Sequence, residues 1–239
     1  MKKYKLLCAA LALTLSLTAC SGGLTTVDAT AYVQGLLDET YLGKFDKDYL
    51  EMVDLDEEDA RESYEAALEV EYDYFAANFQ FDEDYISEDT KDAALDLIAE
   101  LYQHARYEVK PALQTDTGFT VEVVVQPVNL IPTIVENYME DFTEEFNETY
   151  AEVTSESLSA LTKREREAFL TEYENAWANG ILKLFEDHKS ELIHLQKTAV
   201  IVKVEADDEG YYAIPDNDFA NIDALILAYT APAGEEEKK

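Results

Sequence analysis

The sequence predicts an α+β fold: helix-rich, with two β-hairpins forming an antiparallel sheet packed by long helices. Three observations predict it. Hydrophobic residues make up 47% of the 239 positions, with 16 Tyr and 10 Phe among them, so a core can form despite the heavy charge. Only 8 Gly and 5 Pro break the chain, which favours long helices. The apolar period also falls from 3.6 to 2 in two places, around residues 107–125 and 199–214.

The elements follow in order. Asp28 is expected to cap a first helix that runs to about Leu42, with Gly43 as its stop. Residues 44–50 read as a short helical turn. Asp54 to Glu58 then opens a long helix whose apolar positions are Tyr64, Leu68, Tyr72, Phe75 and Phe79, with Ala67, Val70 and Tyr74 widening the stripe. Ser87, followed by Glu88 and Asp89, caps the next helix. That helix turns Ala94, Leu97, Ile98, Leu101 and Ala105 inward.

Tyr107, Val109 and Leu113 then alternate with polar residues around Pro111, which places this strand at a sheet edge or at a bulge. Residues 114–118 carry turn chemistry. Phe119, Val121, Val123 and Val125 alternate along a returning strand with one buried face. Helix is expected again after Pro132, with Ile134, Val135, Tyr138, Phe142, Phe146 and Tyr150 as its stripe. Residues 154–157 form a polar break, and Thr162 caps a helix carrying Phe169, Tyr173, Trp177, Leu184 and His188. Ala199 to Glu205 is a strand, residues 207–210 turn it, and Tyr211 to Ile214 return. Asp218 caps a last helix with Phe219, Ile222, Leu225 and Ile226.

The two turns, Asp116-Thr117-Gly118 and Asp208-Glu209-Gly210, each lie between strands. That arrangement suggests a diverged duplication of an α-α-β-β unit sharing one sheet. The expected organisation is a signal segment over residues 1–19, a flexible tether over 20–27, one α+β domain over 28–230 with possible halves 28–130 and 131–230, and a charged tail over 231–239. The candidate linker over 153–161 has no Pro or Gly, which argues against two independent domains.

The N-terminus reads as an address. Lys2, Lys3 and Lys5 precede an uncharged run from Leu6 to Ala19, too short to cross a bilayer and ordered like a secretory signal. Leu17-Thr18-Ala19-Cys20 resembles the lipobox of bacterial lipoproteins. The resemblance implies a diacylglyceryl group on the Cys20 thiol, cleavage before Cys20, and a protein held at the membrane by its lipid, on the extracytoplasmic face. Cys8 would leave with the signal, and the acylated Cys20 would be the last cysteine, so no disulfide or thiol site is expected in the folded part.

The layout also resembles a group of uncharacterised lipoproteins of Gram-positive bacteria, a domain-of-unknown-function family. The residues that carry this are Tyr41-Leu42-Gly43-Lys44-Phe45, Tyr107-Glu108-Val109-Lys110, and the stretch from Gly118 to Val123 ending at Pro127. No active site comes with the resemblance.

Charge narrows the function classes. The chain carries 52 Asp and Glu against 18 Lys and Arg, a formal net charge of −34. Such a surface repels phosphate backbones, so no nucleic-acid partner is expected, and it repels anionic headgroups. Candidate chemistry is thin. His104, His188 and His194 have no zinc-ligand spacing and read as packing residues. A calcium loop counted from Asp54 uses Asp56, Glu58 and Glu65 but has Asp59 at position 6, where the sharp turn needs Gly, and Arg61 at position 8, which is usually apolar. Asp216-Asn217-Asp218 matches less well. Acidic pairs such as Glu57/Glu58 and Asp82/Asp84 read as solvated faces, and the tyrosines read as core.

No catalytic residue, metal ligand or cofactor site is therefore expected, and Cys20 is the sole site residue, as a lipid acceptor. The expected role is a non-catalytic binding or scaffolding module at the cell surface, engaging a cell-envelope protein or wall component through the apolar side of a curved sheet or through its acidic exterior. Two alternatives stand beside it: a wall-polymer hydrolase with paired carboxylates, and a solute-binding component.

Overall fold

The computed structural model describes residues 24–206 and 211–230. Along the chain its elements are α1 (Thr26–Leu42), α2 (Lys47–Val53), α3 (Glu57–Asn78), α4 (Glu88–Tyr102), β1 (Arg106–Val109), β2 (Leu113–Gln114), β3 (Gly118–Gln126), α5 (Leu130–Asn137), α6 (Met139–Thr149), α7 (Ser155–Ala160), α8 (Lys163–His188), β4 (Thr198–Ala206), β5 (Tyr212–Ala213) and α9 (Asp216–Ile226). The fold is α+β and helix-rich, with an antiparallel sheet, as the residue pattern predicts. The chain divides into two compact units that interleave in sequence. Among the described residues the first takes 24–70, Ala99–Pro127, 194–206 and 211–227, and the second takes Glu71–Ile98, Val128–Ile193 and 228–230.

The first unit holds the sheet, in the order β1-β3-β4-β5 with β2 also beside β3, all antiparallel. One inner strand of each expected hairpin, β3 and β4, makes the central pair. Val121, Val123 and Val125 share a buried face with Val202 and Val204, and α1 and α9 pack against these strands. Pro111 acts as expected. Between Val109↔Val123 and Leu113↔Thr120 the edge strand advances four residues against three on β3, so one extra residue bulges there. The return strand expected over 211–214 shrinks to β5, because Pro215 cannot donate to a ladder and instead stands at the start of α9.

Several helix starts differ from expectation, each for a local reason. Thr25, not Asp28, caps α1. The Thr25 hydroxyl accepts the Asp28 N–H at 3.3 Å, and the Asp28 carboxylate accepts the Thr25 N–H at 2.9 Å, so Asp28 is the second half of a capping box. Leu24 is buried and α1 begins at Thr26, so the described part of the expected tether is built into the fold. Asp218 does not cap α9; its carboxylate accepts the Lys203 N–H of β4 at 2.9 Å.

The second unit is helical among its described residues. Helix α5 starts at Leu130 and carries Pro132 in its first turn, where a missing N–H costs nothing. The stripe expected to run on to Tyr150 breaks at Tyr138, which separates α5 from α6. The expected polar break over 154–157 is the capping box of α7, formed by Thr154 and Ser157. Thr162 caps α8 as expected, with Glu165 completing the box.

The core of this unit gathers Phe75, Phe79, Phe81 and Phe185, with ring centroids 4.6 to 5.9 Å apart. Beside it Phe142 and Phe146 of α6, with Tyr150 just past its end, meet Phe169, Tyr173 and Trp177 of α8. Asn175 is a polar hub. Its Oδ1 accepts from the Ser87 N–H (3.0 Å), the Ser87 hydroxyl (2.8 Å) and the Thr90 hydroxyl (2.7 Å), and its Nδ2 donates to the Tyr85 carbonyl at 2.8 Å. The stripe of α3 is narrower than expected: Leu68, Tyr72, Phe75 and Phe79 are buried, while Val70 and Tyr74 are 38% and 46% exposed.

Candidate functional site

In the first unit the feature that composition alone does not account for is a set of carboxyl groups held among tyrosines. Asp38 and Glu39 lie near the C-terminal end of α1, where the helix dipole disfavours negative charge and no basic residue stands in the last turn. Each is met by a tyrosine. The Tyr107 hydroxyl donates to Asp38 Oδ1 at 2.7 Å, and burial, followed by that hydrogen bond and then the Asp38 charge, raises the Tyr107 phenol.

Glu39 is 2% exposed. Burial pushes its carboxyl from 4.5 up to about 7, and the nearby Tyr49 and Ser63 hydroxyls offset only part of that. Glu39 Oε2 and the Tyr49 hydroxyl are both buried without a hydrogen-bond partner. Tyr49 reaches this position from α2 by laying its ring on the α1 backbone at Gly35, where a Cβ would lie 2.2 Å from two ring carbons. Burial, with Glu39 next, raises the Tyr49 phenol well above its usual range. On α1 itself, burial holds Tyr32 at about 12, with Glu39 adding a little.

A third pair lies beside these. The Tyr41 hydroxyl donates to Asp223 Oδ1 at 3.0 Å, and burial raises Asp223 above the usual carboxylate range. The Tyr41 ring stacks on Phe219 at 6.2 Å and meets Tyr102 edge-on at 5.2 Å. The second unit repeats the device. The Tyr229 hydroxyl donates to Glu71, a buried carboxylate. On its surface the Tyr138 hydroxyl donates to Glu191 at 2.6 Å, His188 Nδ1 lies 2.9 Å from the same carboxylate, and the His188 ring stacks on Tyr138 at 3.6 Å. The phenol and the imidazole together hold the Glu191 carboxyl below its usual range.

The pattern has an electrostatic cause. With 52 acids and 18 Lys and Arg, cations are too few to pair with every carboxylate. The Lys and Arg ion pairs lie at the surface, such as Lys47–Glu51 and Lys163–Glu167, where each is worth about 0–1 kcal/mol. Inside, a phenol donates a hydrogen bond without bringing a second charge that would also need desolvation.

The residues singled out in the sequence fall as follows. Cys20 lies outside the described residues. His104 is exposed, and its carbonyl oxygen lies 2.8 Å from His194 Nε2. Asp54 closes α2 in left-handed backbone, and the Asp56 carboxylate accepts the Glu58 and Asp59 N–H groups at 2.8 and 3.0 Å. Glu57, Glu58 and Asp59 form the first turn of α3, so residues 54–65 do not wrap a loop. The Asp82 carboxylate accepts the Asp84 N–H. Among the described residues no group of three or more His, Cys, Asp or Glu side chains is placed to hold a metal ion.

The apolar side of the sheet, expected as a contact surface, is covered by α1 and α9. The open side is mixed, with Glu122 and Lys203 beside Ile201 at 58% exposure.

Sequence reading missed Glu39, Asp223 and their tyrosines as pairs. A signal was there for Glu39: it lies three residues beyond Leu36 and seven beyond Tyr32, on the buried stripe of α1. For Asp223 no local pattern marks the partner, because Tyr41 is 182 residues away.

No family model and no curated protein matches this sequence. Among solved structures it is similar to the "putative lipoprotein (ycdA)" of Bacillus subtilis subsp. subtilis str. 168, with a TM-score of 0.51 and 14% identity. The match covers 84% of this chain and 56% of that one. No helix among the described residues is long and apolar enough to cross a membrane. At this identity the likeness is one of fold: the chain is built as a helix-rich α+β body like that of the Bacillus lipoprotein.

Proposed function

We propose that the chain is a lipid-anchored lipoprotein on the extracytoplasmic face of the cell membrane, acting there as a non-catalytic binding or scaffolding module. One observation carries this reading. A lipobox-like Leu17-Thr18-Ala19-Cys20 ends an uncharged run and stands four residues before Leu24, where the described fold begins. The likeness to a protein bearing a lipoprotein name supports it. Diacylglyceryl on Cys20 supplies two acyl chains, enough for stable anchoring where one chain is marginal.

The acids that face tyrosines support the non-catalytic part. Acid–base hydrolysis of a wall polymer uses two carboxyl groups facing one substrate bond, whereas Glu39, Glu71 and Asp223 each face a tyrosine. The partner in this reading is a protein or polymer of the cell envelope.

The test is Cys20→Ser in the natural host with a labelled fatty acid. The wild-type chain takes up label and fractionates with membranes. The variant takes up none and leaves the membrane fraction. An unlabelled wild-type chain recovered from the cytosol refutes the reading.

A further inference from the structure

We propose that Glu39 and Tyr49 form a proton-operated latch, which seats α2 on α1 in acid and frees it as the medium turns neutral and alkaline. The geometry is a buried contact between two helices that ends in an acid with nothing to neutralise it. Tyr49 lies in the notch that Gly35 leaves on α1, and its hydroxyl is carried to the Glu39 carboxyl. Oε2 of that carboxyl and the hydroxyl itself have no hydrogen-bond partner. A protonated Glu39 is tolerated in such a place. An ionised one is a charge 98% removed from water, and burial of an unpaired charge is what proteins avoid most strongly.

Among the described residues the groups facing Glu39 supply no counter-charge. Tyr49 comes from α2, the Ser63 hydroxyl from α3, and Tyr32 from α1 itself. The charged neighbours are engaged elsewhere: Asp38 with Tyr107, Lys47 with Glu51 on the exposed side of α2, and Arg61 with Glu57 and over the Phe45 ring.

The element that would move is the weak one. Helix α2 has seven residues, seats only Tyr49, Leu50 and Val53 in the core, and ends at Asp54 with φ 55°, a conformation that non-glycine residues adopt at a cost. Freeing α2 exposes Glu39 to water, where it ionises normally. The seated state binds the proton more tightly, so seating is strongest below the ordinary carboxyl value of 4.5 and is lost as pH rises through about 7. The opening constant rises about 70-fold between pH 5 and pH 8, most steeply between the two values and levelling off above 7.

The experiment is amide hydrogen exchange of the full chain across pH 5–8, corrected for intrinsic rates and read at α2. In the wild type, opening of α2 rises roughly 70-fold while β3 and β4 stay protected. In Glu39→Gln it changes by less than about threefold. A flat wild-type profile, or a Glu39→Gln profile as steep as wild type, overturns the latch. Should Glu39→Gln fail to fold, a carbon-13 titration of Glu39 in the wild type decides: a midpoint near 7 upholds the proposal, and one near 4.5 ends it.

Discussion

Replacing Gly35 by Ala should destabilise the first unit, although Gly35 sits in the middle of a helix. On propensity alone the change gains about 1 kcal/mol, because Ala is the better helix former. The structure reverses the sign. The new Cβ would stand 2.2 Å from Tyr49 Cδ2 and Cγ and 2.7 Å from Tyr49 Cβ, so the ring must retreat by roughly an ångström to regain ordinary contact, an overpacking cost of about 1–3 kcal/mol. The nearest clashing atoms lie at the root of the ring, so rotating its far end gives little relief. If the ring is expelled, the cost approaches the ~3–5 kcal/mol of deleting a buried aromatic.

Subtracting the helix gain, Gly35→Ala costs about 0–2 kcal/mol if the ring shifts and about 2–4 kcal/mol if it is expelled, which lowers the melting temperature by up to roughly 16 °C for a chain of this size. The same change in a Tyr49→Ala background meets no ring and should stabilise by about 1 kcal/mol. A double-mutant cycle by calorimetry or urea-induced loss of far-ultraviolet circular dichroism reads the difference. Fluorescence alone will miss it, because the single tryptophan, Trp177, lies in the other unit. Equal effects of Gly35→Ala with and without the Tyr49 ring would refute the reasoning.

Other outcomes follow from the same physics. The raised Glu39 makes the whole fold more stable at pH 5 than at pH 8, by about 2–3 kcal/mol or roughly 5–10 °C; a melting temperature that climbs over that range contradicts this. Tyr41→Phe removes the donor from Asp223 and should cost about 1–3 kcal/mol at pH 8. It should cost less at low pH, where a protonated Asp223 needs no donor; thermal melts at both values test the sign. Asn175→Ala leaves the Ser87 and Thr90 hydroxyls without their acceptor and should cost about 1–3 kcal/mol. Because Trp177 lies two residues along the same helix, its fluorescence follows that loss.

The sheet and most helices can be read from local periodicity because one face of each is buried. The alternation of Phe119 to Val125 matches β3 residue for residue, since a one-residue slip would turn every valine outward. Caps are legible in part: Thr162 is predicted and does cap α8, with Glu165 completing a box the residue pattern did not single out, whereas Asp28, predicted as the cap of α1, is the third-position partner of Thr25. The buried stripe of α3 is narrower than its residue types suggest, because Val70 and Tyr74 are apolar in type but face out. The break at Tyr138 has no breaker residue to announce it. The carboxyl–tyrosine pairs were hidden for a different reason. Only the fold brings Tyr107 to Asp38, and with acids so abundant none of them stands out one by one.

Pairing buried acids with phenols also bears on how the molecule answers to salinity. Dissolved ions weaken attraction between surface charges of opposite sign, yet they reach poorly into a contact between a neutral donor and an enclosed acid. What brine does reach is the mutual repulsion among the excess carboxylates outside, and it softens it. A body wired this way should tighten in a saltier medium, where one relying on surface ion pairs would loosen.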